Sequence, residues 1–463
     1  MCSTQKRAWV EAVPDISPAR RAAFRILMAV ERGSAHADDL LRGNAVSSLS
    51  PADRSLTTTL VLGVLRWQLE LDDRLKSYLA RPGAKLDREV LISLRLGAFQ
   101  LLYLDRVPAH AAIGESVELV KQAGHQFASR MVNAVLRKLA AAPRSSSFED
   151  SSTQSHPAWL VDRWIAHYGR EAACDLCRHG QTQPVISLRI EDPGAEAELV
   201  RSGIELAPGG LLSAARTVIA GDVTTTEAFH DGRVRIQDEG SQLIAELAAC
   251  AAAQRNQAIE NIVDACAAPG GKTLILAQRH EEAHLVACEA SPQRFAQMRD
   301  RLAAHADQIE CRLADASRLE EDSAFDLALA DVPCSGTGTL GRNPEIRHRL
   351  QPVDLPRHAE RQRAILTAVT RALRPGSRAV YSTCSLEPEE NEQVVAAVLA
   401  QSSGIRWITL ETSIDALFEK GILTETGAEE LRTCLTHQGA LRLLPGALHT
   451  DGFFIALLEK AAP

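Results

Sequence analysis

The chain has 463 residues, of which 45% are hydrophobic and 24% are charged. This composition is typical of globular domains and excludes a disordered chain, and at about 150 residues per domain the length predicts two to four domains. The sequence has no run of roughly 20 uncharged apolar residues, as a membrane helix requires, and its first residues lack the apolar core of a secretory signal. We therefore expect a cytoplasmic protein that does not bind a membrane and whose 10 cysteines are reduced thiols.

The formal net charge of −8 argues against a nucleic-acid partner, but the charge is unevenly distributed. Residues 1–140 carry 20 basic and 14 acidic side chains, whereas the rest of the chain carries 31 and 45. Residues 341–378 combine three acidic residues with nine arginines, which are Arg342, Arg347, Arg349, Arg357, Arg361, Arg363, Arg371, Arg374 and Arg378. A locally basic surface attracts phosphates even on an acidic protein, so we expect these arginines to contact them. A solvated arginine-rich helix is the alternative.

Helical patterns extend over most of residues 17–140. Two of the predicted helices begin with Ser-Pro, at Ser17 and Ser50, because serine caps a helix and proline fits its first turn. Strand-like alternation is absent from this part of the sequence. We predict an all-α domain over residues 1–143.

Residues 141–156 are polar and rich in serine, which predicts a linker. Short strand patterns and one helix follow, so we assign residues 144–233 to a linker and a small α+β module. Cys174 and Cys177 form a CxxC pair that lies in a helical pattern without a second pair of ligands. We interpret this pair as a turn of a buried helix and not as a zinc site.

Strand and helix patterns alternate from residue 234 onwards. Such alternation predicts a mostly parallel, doubly wound α/β sheet that is covered by helices. Near the end, GALRLLPGALHTDGFFIALLEK (439–460) predicts a pair of strands. We assign residues 234–463 to this α/β domain.

The first strand of the sheet ends at Asp264, and a turn of small residues, ACAAPGGKT (265–273), follows it. A ligand of an open α/β sheet binds at such strand ends. The GKT ending suggests a phosphate-binding loop, but GxxxxGKT needs glycine at the position of Cys266, and the dinucleotide pattern GxGxxG is also absent. We expect S-adenosylmethionine, which has no phosphates and needs a close turn and carboxylates for its sugar and base.

Further acidic residues end the other predicted strands. Glu289 ends the second strand, where an acid can accept hydrogen bonds from ribose hydroxyls, and Asp315 ends the third, where it suits the adenine amino group. Asp331 ends the fourth strand. Each acid alone could be a helix N-cap or a solvated carboxylate. Four such acids at one predicted sheet edge, with Asp264 as the first, favour a ligand site.

Two cysteines follow the ends of successive strands, Cys334 in DVPCSGTG (331–338) and Cys384 in YSTCSLEPEENE (381–392). A thiol beside a methyl donor suggests a substrate that is a poor nucleophile, such as carbon 5 of a pyrimidine. This carbon becomes nucleophilic after a thiolate adds to carbon 6, and cysteine forms thiolates readily. An acid near N3 must neutralise the charge that builds there as the thiolate adds, and a base must later remove the proton from carbon 5. The alternative is that both are buried core cysteines.

Several sequence blocks resemble the signature blocks of the RNA cytosine-5 methyltransferases, in particular the bacterial Sun/Fmu group. They are DACAAPGGKT (264–273), DVPCSGTGTLGRNPEIR (331–347), YSTCSLEPEENEQVV (381–395) and TDGFF (450–454). The N-terminal helices resemble the NusB-type RNA-binding domain of the B-type 16S rRNA methyltransferases in that group. The resemblance covers nearly the whole chain. It implies a NusB-like domain, a small RNA-binding module and a Rossmann-like class I methyltransferase domain.

The resemblance also implies roles for individual residues. A loop would hold the methionine part of S-adenosylmethionine, Glu289 its ribose and Asp315 its adenine. Asp331 would lie near both cofactor and base and bind cytosine N3. Cys384 would be the nucleophile and Cys334 would assist product release, an assignment that spacing alone leaves open. The loop residues are Cys266, Ala267, Ala268, Pro269, Gly270, Gly271 and Lys272.

Two positions depart from the family pattern. Glu289 stands where aspartate is usual, and His348 stands where an aromatic residue such as tryptophan is common, which would change a contact to base or backbone. The expected substrate is 16S rRNA or a small-subunit assembly intermediate, methylated by a monomer without a metal ion. A transfer RNA substrate and a non-catalytic RNA-binding or assembly factor are the alternatives. We assign no function to residues 405–438.

Overall fold

The computed structural model describes residues 16–33, 36–83, 85–142, 153–190, 192–253, 258–402 and 404–462. The chain divides into two units, one of Met1–Gln181 with Arg342–Arg349 and one of Thr182–Gly341 with Leu350–Pro463. Most of the predicted serine-rich linker, residues 143–152, lies outside the described residues. Among the helices of the described ranges, none is both long and apolar enough to cross a bilayer.

Helices make up the regular structure of the first unit between residues 16 and 181. They are α1 (Pro18–Glu31), α2 (Ala37–Arg42), α3 (Asn44–Ser47), α4 (Pro51–Lys76), α5 (Arg88–Tyr103), α6 (Ala109–Gln122), α7 (Ser129–Ala141), α8 (Ala158–Tyr168) and α9 (Arg170–Gln181). The predicted Ser-Pro starts are confirmed at α1 and α4, and the Ser50 hydroxyl accepts a hydrogen bond from the Asp53 amide (3.2 Å). The all-α prediction for the N-terminal domain is therefore confirmed.

The core of this unit depends on a close approach of α4 to α5. Gly63 on α4 faces the ring of Phe99 on α5, and a Cβ at this glycine would lie 2.0 Å from the ring. Any other residue would require the Phe99 ring or one of the helices to move. The predicted helix at the CxxC pair is also confirmed, because both cysteines lie in α9, and burial raises the pKa of Cys177 to about 12.

The second unit begins with a small antiparallel sheet of strand order β2-β3-β1-β4. Its elements are β1 (Ile186–Ile190), α10 (Pro193–Arg201), β2 (Glu205–Pro208), β3 (Ala215–Ala220), α11 (Glu227–His230) and β4 (Val234–Ile236). The predicted strands and helix of the α+β module are confirmed. Apolar residues of β1, β4, α10 and α11 form one core cluster.

A larger mixed sheet follows in the same unit, with strand order β10-β12-β9-β8-β5-β6-β7 and β11 paired to β12. Its strands are β5 (Asn261–Asp264), β6 (His284–Glu289), β7 (Ile309–Leu313), β8 (Phe325–Asp331), β9 (Leu373–Thr383), β10 (Ile405–Ile408), β11 (Leu441–Leu443) and β12 (Phe453–Lys460). The strands β5 to β9 are parallel, and β12 runs antiparallel to β9, β10 and β11. The mostly parallel sheet and the C-terminal strand pair were both predicted and are confirmed.

Helices cover both faces of the large sheet. From this part of the chain the helices are α12 (Glu239–Ala253), α13 (Gly271–Arg279), α14 (Pro292–Leu302), α15 (Ile346–Arg349), α16 (Asp354–Ala372), α17 (Glu392–Gln401), α18 (Glu411–Glu419) and α19 (Glu425–Thr433). Alternate residues of β8 face opposite sides, with Leu327 and Leu329 in one core cluster and Ala328 and Ala330 in another. The helices α16 and α17 cover the second side.

The short helix α15 belongs to the first unit, where its residues contact the α-helical domain. The Arg347 side chain is 1% exposed and donates hydrogen bonds to the carbonyls of Gly180 (2.8 Å), Ser155 (3.3 Å) and Arg66 (3.4 Å). The next residue, His348, places Nε2 2.7 Å from the Leu65 carbonyl oxygen. Segment 342–349 is therefore an integral part of the helical unit.

The expectation that the arginines of 341–378 all contact phosphates is wrong for several of them. Arg347 is buried as described, Arg374 lies 2.9 Å from the Asp326 carboxylate, and Arg378 lies 3.0 Å from Glu459. The guanidinium groups of these three arginines therefore bind carbonyl or carboxylate oxygens of the protein itself. Four arginines of α16 are exposed and keep the predicted basic character at the surface, and they are Arg357, Arg361, Arg363 and Arg371.

We predict that Arg347→Ala destabilises the protein by about 2–4 kcal/mol, because it opens a cavity and leaves buried carbonyls without their donor. The matched control is Arg357→Ala, which removes an exposed arginine that pairs with Asp354 and should cost less than about 0.5 kcal/mol. Urea unfolding of both variants measures the difference. A stable Arg347→Ala variant with weakened RNA binding would contradict the structural role.

Candidate active site

Three parallel strands of the large sheet end at acidic residues that the sequence singled out. They are Asp264 at the end of β5, Glu289 at the end of β6 and Asp331 at the end of β8. Asp315 lies two residues beyond β7, and Cys384 lies one residue beyond β9. The fold therefore brings the predicted acids and a cysteine to one sheet edge.

The loop between β5 and α13 lines a cleft of about 90 Å³ at this edge. Gly270 precedes α13 with a left-handed φ of 99°, which favours glycine because a side chain there is strained. A Cβ on Gly271 would lie 3.2 Å from the Gln237 side chain. The cleft is lined by Arg235, Ile236, Gln237, Ser241, Asp264, Cys266, Ala267, Ala268, Pro269, Gly271, Lys272, Arg301 and Asp331. The predicted loop residues other than Gly270 therefore share one cleft.

Asp264 is a buried carboxylate in this cleft, with 2% of its surface exposed. Its Oδ2 atom accepts a hydrogen bond from the Thr273 hydroxyl (2.8 Å), and its Oδ1 atom has no hydrogen-bond partner among the described residues. Burial raises the pKa of Asp264 to about 6, although the Thr273 hydroxyl and the charge of Lys272 both lower it. The site therefore contains a buried acceptor with unused capacity.

Lys272 and Asp331 form an ion pair in the cleft, with Nζ 2.7 Å from Oδ2. Burial alone would lower the pKa of Lys272, but the Asp331 carboxylate outweighs it and raises this pKa above its ordinary value. The Ser382 hydroxyl on β9 donates to Oδ1 of Asp331 (2.7 Å), so both carboxylate oxygens are held. Asp331 thus has a defined orientation at the end of β8.

Glu289 and Asp315 line an adjoining cleft together with Cys266 and Arg361. Glu289 Oε1 accepts a hydrogen bond from the Ser291 amide (2.8 Å), and Oδ1 of Asp315 accepts hydrogen bonds from the Ser317 amide (3.0 Å) and hydroxyl (2.9 Å). Each acid therefore caps its own turn, and Asp315 keeps its second carboxylate oxygen for another partner, whereas the second oxygen of Glu289 faces Arg294.

Arg294 on α14 was not identified from the sequence. Its guanidinium donates to the Ala268 carbonyl (2.7 Å) and lies 3.4 Å from Oε2 of Glu289, so it links the cleft loop to the end of β6. Ser382 was also missed, although the sequence contains a signal for it. It lies two residues before Cys384 on a strand, and side chains two residues apart share a face.

The two cysteine thiols lie side by side, with Cys334 Sγ 3.2 Å from Cys384 Sγ. The Cys384 carbonyl accepts a hydrogen bond from the Gly338 amide (2.9 Å), and the Thr337 hydroxyl accepts one from the Leu386 amide (2.9 Å). The thiol of Cys384 and the burial of Cys334 raise the pKa of Cys334 well above its ordinary value. Both cysteines are partly buried free thiols, so neither is simply a core residue.

The clefts fit S-adenosylmethionine by their donor and acceptor groups. Among the described residues, the buried oxygens Asp264 Oδ1 and Gln237 Oε1 lack hydrogen-bond donors, and the cofactor's ammonium and hydroxyl groups are donors. The small residues of the loop permit close approach of its backbone. Within the described ranges, no group of three His, Cys, Asp or Glu side chains is arranged to hold a metal ion.

Comparisons with known protein families agree with the two-part organisation. Residues 251–459 match the family described as 16S rRNA methyltransferase RsmB/F, and residues 17–141 match the NusB family. The fold also resembles the solved structure PH0851, with a TM-score of 0.77 over 97% of this chain and 100% of that chain at 22% identity. The similarity to PH0851 supports the fold.

Curated relatives are similar over nearly the full length. One is the probable ribosomal RNA small subunit methyltransferase B of Bacillus subtilis (strain 168), 33% identical over 95% of this chain and 98% of the relative. Another is the ribosomal RNA small subunit methyltransferase B of Pseudomonas putida, 32% identical over 96% of this chain and 98% of the relative.

We predict that Asp264→Asn stabilises the protein at pH 8 relative to wild type, and that this advantage disappears below about pH 4. The raised pKa of Asp264 means that the folded state binds a proton more tightly than the unfolded state, so wild-type stability falls as pH rises from about 4 to about 6. The difference between 3.8 and about 6 corresponds to about 3 kcal/mol at most. Urea unfolding between pH 3.5 and 8 tests this, and a constant difference across that range would contradict it.

Proposed function

Because this chain belongs to the 16S rRNA methyltransferase RsmB/F family, we propose that it methylates carbon 5 of a cytosine in 16S rRNA through a covalent cysteine–cytosine adduct. The observation that carries this proposal is the pair of thiols 3.2 Å apart, Cys334 and Cys384, at the sheet edge that also holds Asp331. A methyltransferase acting on an already nucleophilic atom needs no thiol. Two adjacent thiols at this edge favour the carbon 5 reaction.

Residues of both clefts would hold S-adenosylmethionine, which supplies an electrophilic methyl group when bound. We assign its methionine part to the loop 266–272, its ribose to Glu289 and its adenine to Asp315. Glu289 is one methylene longer than the aspartate usual in the family, and its contacts to the Ser291 amide and Arg294 support it in this role. Gly270 would contribute through its left-handed backbone, which shapes the loop, and not by direct contact with the cofactor.

The reaction would begin at Cys384. Its thiolate donates an electron pair to carbon 6 of cytosine, a carbon–sulfur bond forms, and the ring electrons move towards carbon 5 and N3. N3 takes up a proton from solvent as this charge develops, and the Asp331 carboxylate, which Lys272 and Ser382 orient, would accept a hydrogen bond from the resulting N3–H. Carbon 5 is then nucleophilic enough to take up a methyl group.

Release of the product requires elimination. A base takes the proton from carbon 5, the carbon–hydrogen electrons restore the ring double bond, and the sulfur of Cys384 leaves with the bonding pair. Cys334 would assist this step from its contact with Cys384 Sγ. The raised pKa of Cys334 favours its protonated form at neutral pH, so it can stabilise the departing thiolate by donating a hydrogen bond.

RNA binding would involve the helical domain, whose residues 17–141 match the NusB family, and the exposed arginines of α16. RNA is recognised largely by its shape and by bases that leave the stack, and a target base must flip out to reach a thiol in a cleft. With rRNA as the substrate, a monomer acting in the cytoplasm is expected.

We predict that Cys384→Ala abolishes methyl transfer, because no covalent adduct can form, whereas Cys334→Ala accumulates the enzyme–RNA adduct, because release is slowed. Methyl transfer to 16S rRNA and to partly assembled small subunits measures the first effect, and a shifted band on a denaturing gel measures the second. Bisulfite sequencing of RNA from a strain lacking this gene locates the modified cytosine.

The matched control is Cys311→Ala, which removes a partly buried thiol on β7 of the same sheet and should change neither property. The assigned roles fail if Cys384→Ala retains activity while Cys334→Ala forms no adduct. Activity on transfer RNA but not on 16S rRNA would support the alternative substrate.

We predict that the protein binds S-adenosylmethionine and that Glu289→Ala weakens this binding about 10- to 100-fold, because hydrogen bonds to a charged group contribute about 1.5–3 kcal/mol. Isothermal titration calorimetry measures the affinity, with the exposed Glu320→Ala as the control of equal charge change. A protein that is only an assembly factor with a vestigial fold would show no binding.

A further inference from the structure

A buried carboxylate lies behind the two cysteines. The Glu390 side chain is 0% exposed, and it follows β9 and Cys384 in the short turn Pro388–Glu390. It forms no salt bridge with any described residue, so its negative charge is stabilised by hydrogen bonds from uncharged donors alone. A buried carboxylate without a cation is costly unless it is fully hydrogen-bonded, and the fold must therefore hold its donors firmly.

The donors of Glu390 come from the residues next to each cysteine. Oε1 accepts hydrogen bonds from the Ser335 amide (2.8 Å) and from the Gln362 side chain (2.9 Å). Oε2 accepts hydrogen bonds from the hydroxyls of Ser335 and Ser385. Ser335 follows Cys334 and Ser385 follows Cys384, so one carboxylate binds the backbone segments of both thiols.

Surrounding contacts reinforce this arrangement. The two serine hydroxyls lie 3.0 Å apart, and the Gln362 side chain also donates to the carbonyl of Pro333 (2.9 Å), the residue before Cys334. The Tyr381 hydroxyl donates to the main-chain carbonyl of Glu390 (2.5 Å). Both loops are thus held at the residues that adjoin their cysteines.

We propose that Glu390 is a positioning residue that holds Cys334 and Cys384 at the separation the reaction requires. This inference rests on the proposed function for its catalytic consequence, but the thiol spacing itself does not depend on RNA or cofactor. Glu390 touches neither thiol and is not a catalytic residue. Misplacement of reacting groups by about 1 Å can lower a rate about 100-fold.

The spacing can be measured without the methyl-transfer reaction. Oxidised glutathione takes two electrons and two protons from a pair of thiols, which yields a protein disulfide and two molecules of reduced glutathione. The equilibrium constant of this exchange gives the effective concentration of one protein thiol relative to the other. A disulfide needs Cβ atoms about 3.5–4.5 Å apart, so the equilibrium constant changes when the loops that carry the two cysteines move apart. We expect Glu390→Ala to lower the effective concentration at least 10-fold and to slow adduct formation with RNA by a similar factor.

Glu390→Gln separates geometry from charge. The amide keeps an oxygen for the Ser335 amide and Gln362, and the serine hydroxyls can rotate to accept from its nitrogen. We expect this variant to stay within about threefold of wild type in both measurements. A Glu390→Gln variant as impaired as Glu390→Ala would overturn the proposal, because the thiol equilibrium and adduct formation would then depend on the charge of Glu390 and not on its hydrogen bonds.

The control for fold stability is Asp326→Ala. Asp326 is a buried acid at the other end of β8, where it accepts hydrogen bonds from the amides of Glu260 and Asn261. We expect it to lower stability without changing the thiol equilibrium. If it disturbs the thiols as much as Glu390→Ala does, Glu390 has only a structural role. If Glu390→Ala does not fold, Ser335→Ala and Ser385→Ala must each lower the effective concentration, and unchanged values would overturn the proposal.

The two proposals can fail independently. If the wild-type protein transfers no methyl group but Glu390→Ala still lowers the thiol effective concentration, the positioning role stands and the proposed reaction falls. If methyl transfer proceeds and Glu390→Ala matches wild type in thiol equilibrium and adduct formation, the positioning role falls.

Discussion

The parallel pairing of β8 with β9 determines where both thiols lie. These strands are buried along most of their length, and their register places Asp331 beside Ser382. The loop with Cys334 leaves the end of β8, and the loop with Cys384 leaves the end of β9. A shift of this register by one residue would turn side chains to the opposite faces and separate the thiols. The hydrophobic pattern of the two strands therefore specifies how the two thiols lie relative to each other.

Three acidic side chains near the two thiols have different sets of partners for their carboxylate oxygens. Asp331 has a lysine partner and a hydroxyl donor, Asp264 has one hydroxyl donor and a spare buried oxygen, and Glu390 has only neutral donors. An acid that keeps spare acceptor capacity or partial exposure can meet a ligand, whereas a buried acid that is fully bonded can only hold its neighbours. An acidic side chain can thus remain available to a ligand at one position and hold two loops together at another.

Much of the fold followed from local sequence patterns. Alternating strand and helix patterns, Ser-Pro helix starts and strand-end acids are short-range signals, and they identified the parallel sheet and the edge at which Asp264, Glu289 and Asp331 lie. The all-α character of the N-terminal domain was predicted in the same way, from helical patterns and the absence of strand-like alternation.

Partners distant in sequence could not be predicted. Arg347 was counted with a basic surface, because charge counts do not reveal that its hydrogen-bond acceptors lie more than 150 residues away. Glu390 belongs to an acidic run that looks solvated, and only the folded turn shows that its donors come from Ser335 and Gln362. These contacts depend on chain pairs that no local periodicity records.

The spacing of the cysteines in the sequence does not say which is the nucleophile, but their contact in space bears on this choice. Two thiolates 3.2 Å apart would repel each other by roughly 5 kcal/mol at an effective dielectric constant of about 20, so ionisation of both thiols at once is strongly disfavoured. The pKa of Cys334 is raised by its neighbour and by burial, and the negative charge of Glu390 raises it further. Cys334 therefore keeps its proton more firmly than a free cysteine, as a hydrogen-bond donor to a departing sulfur requires, which supports the proposed division of roles between the two thiols.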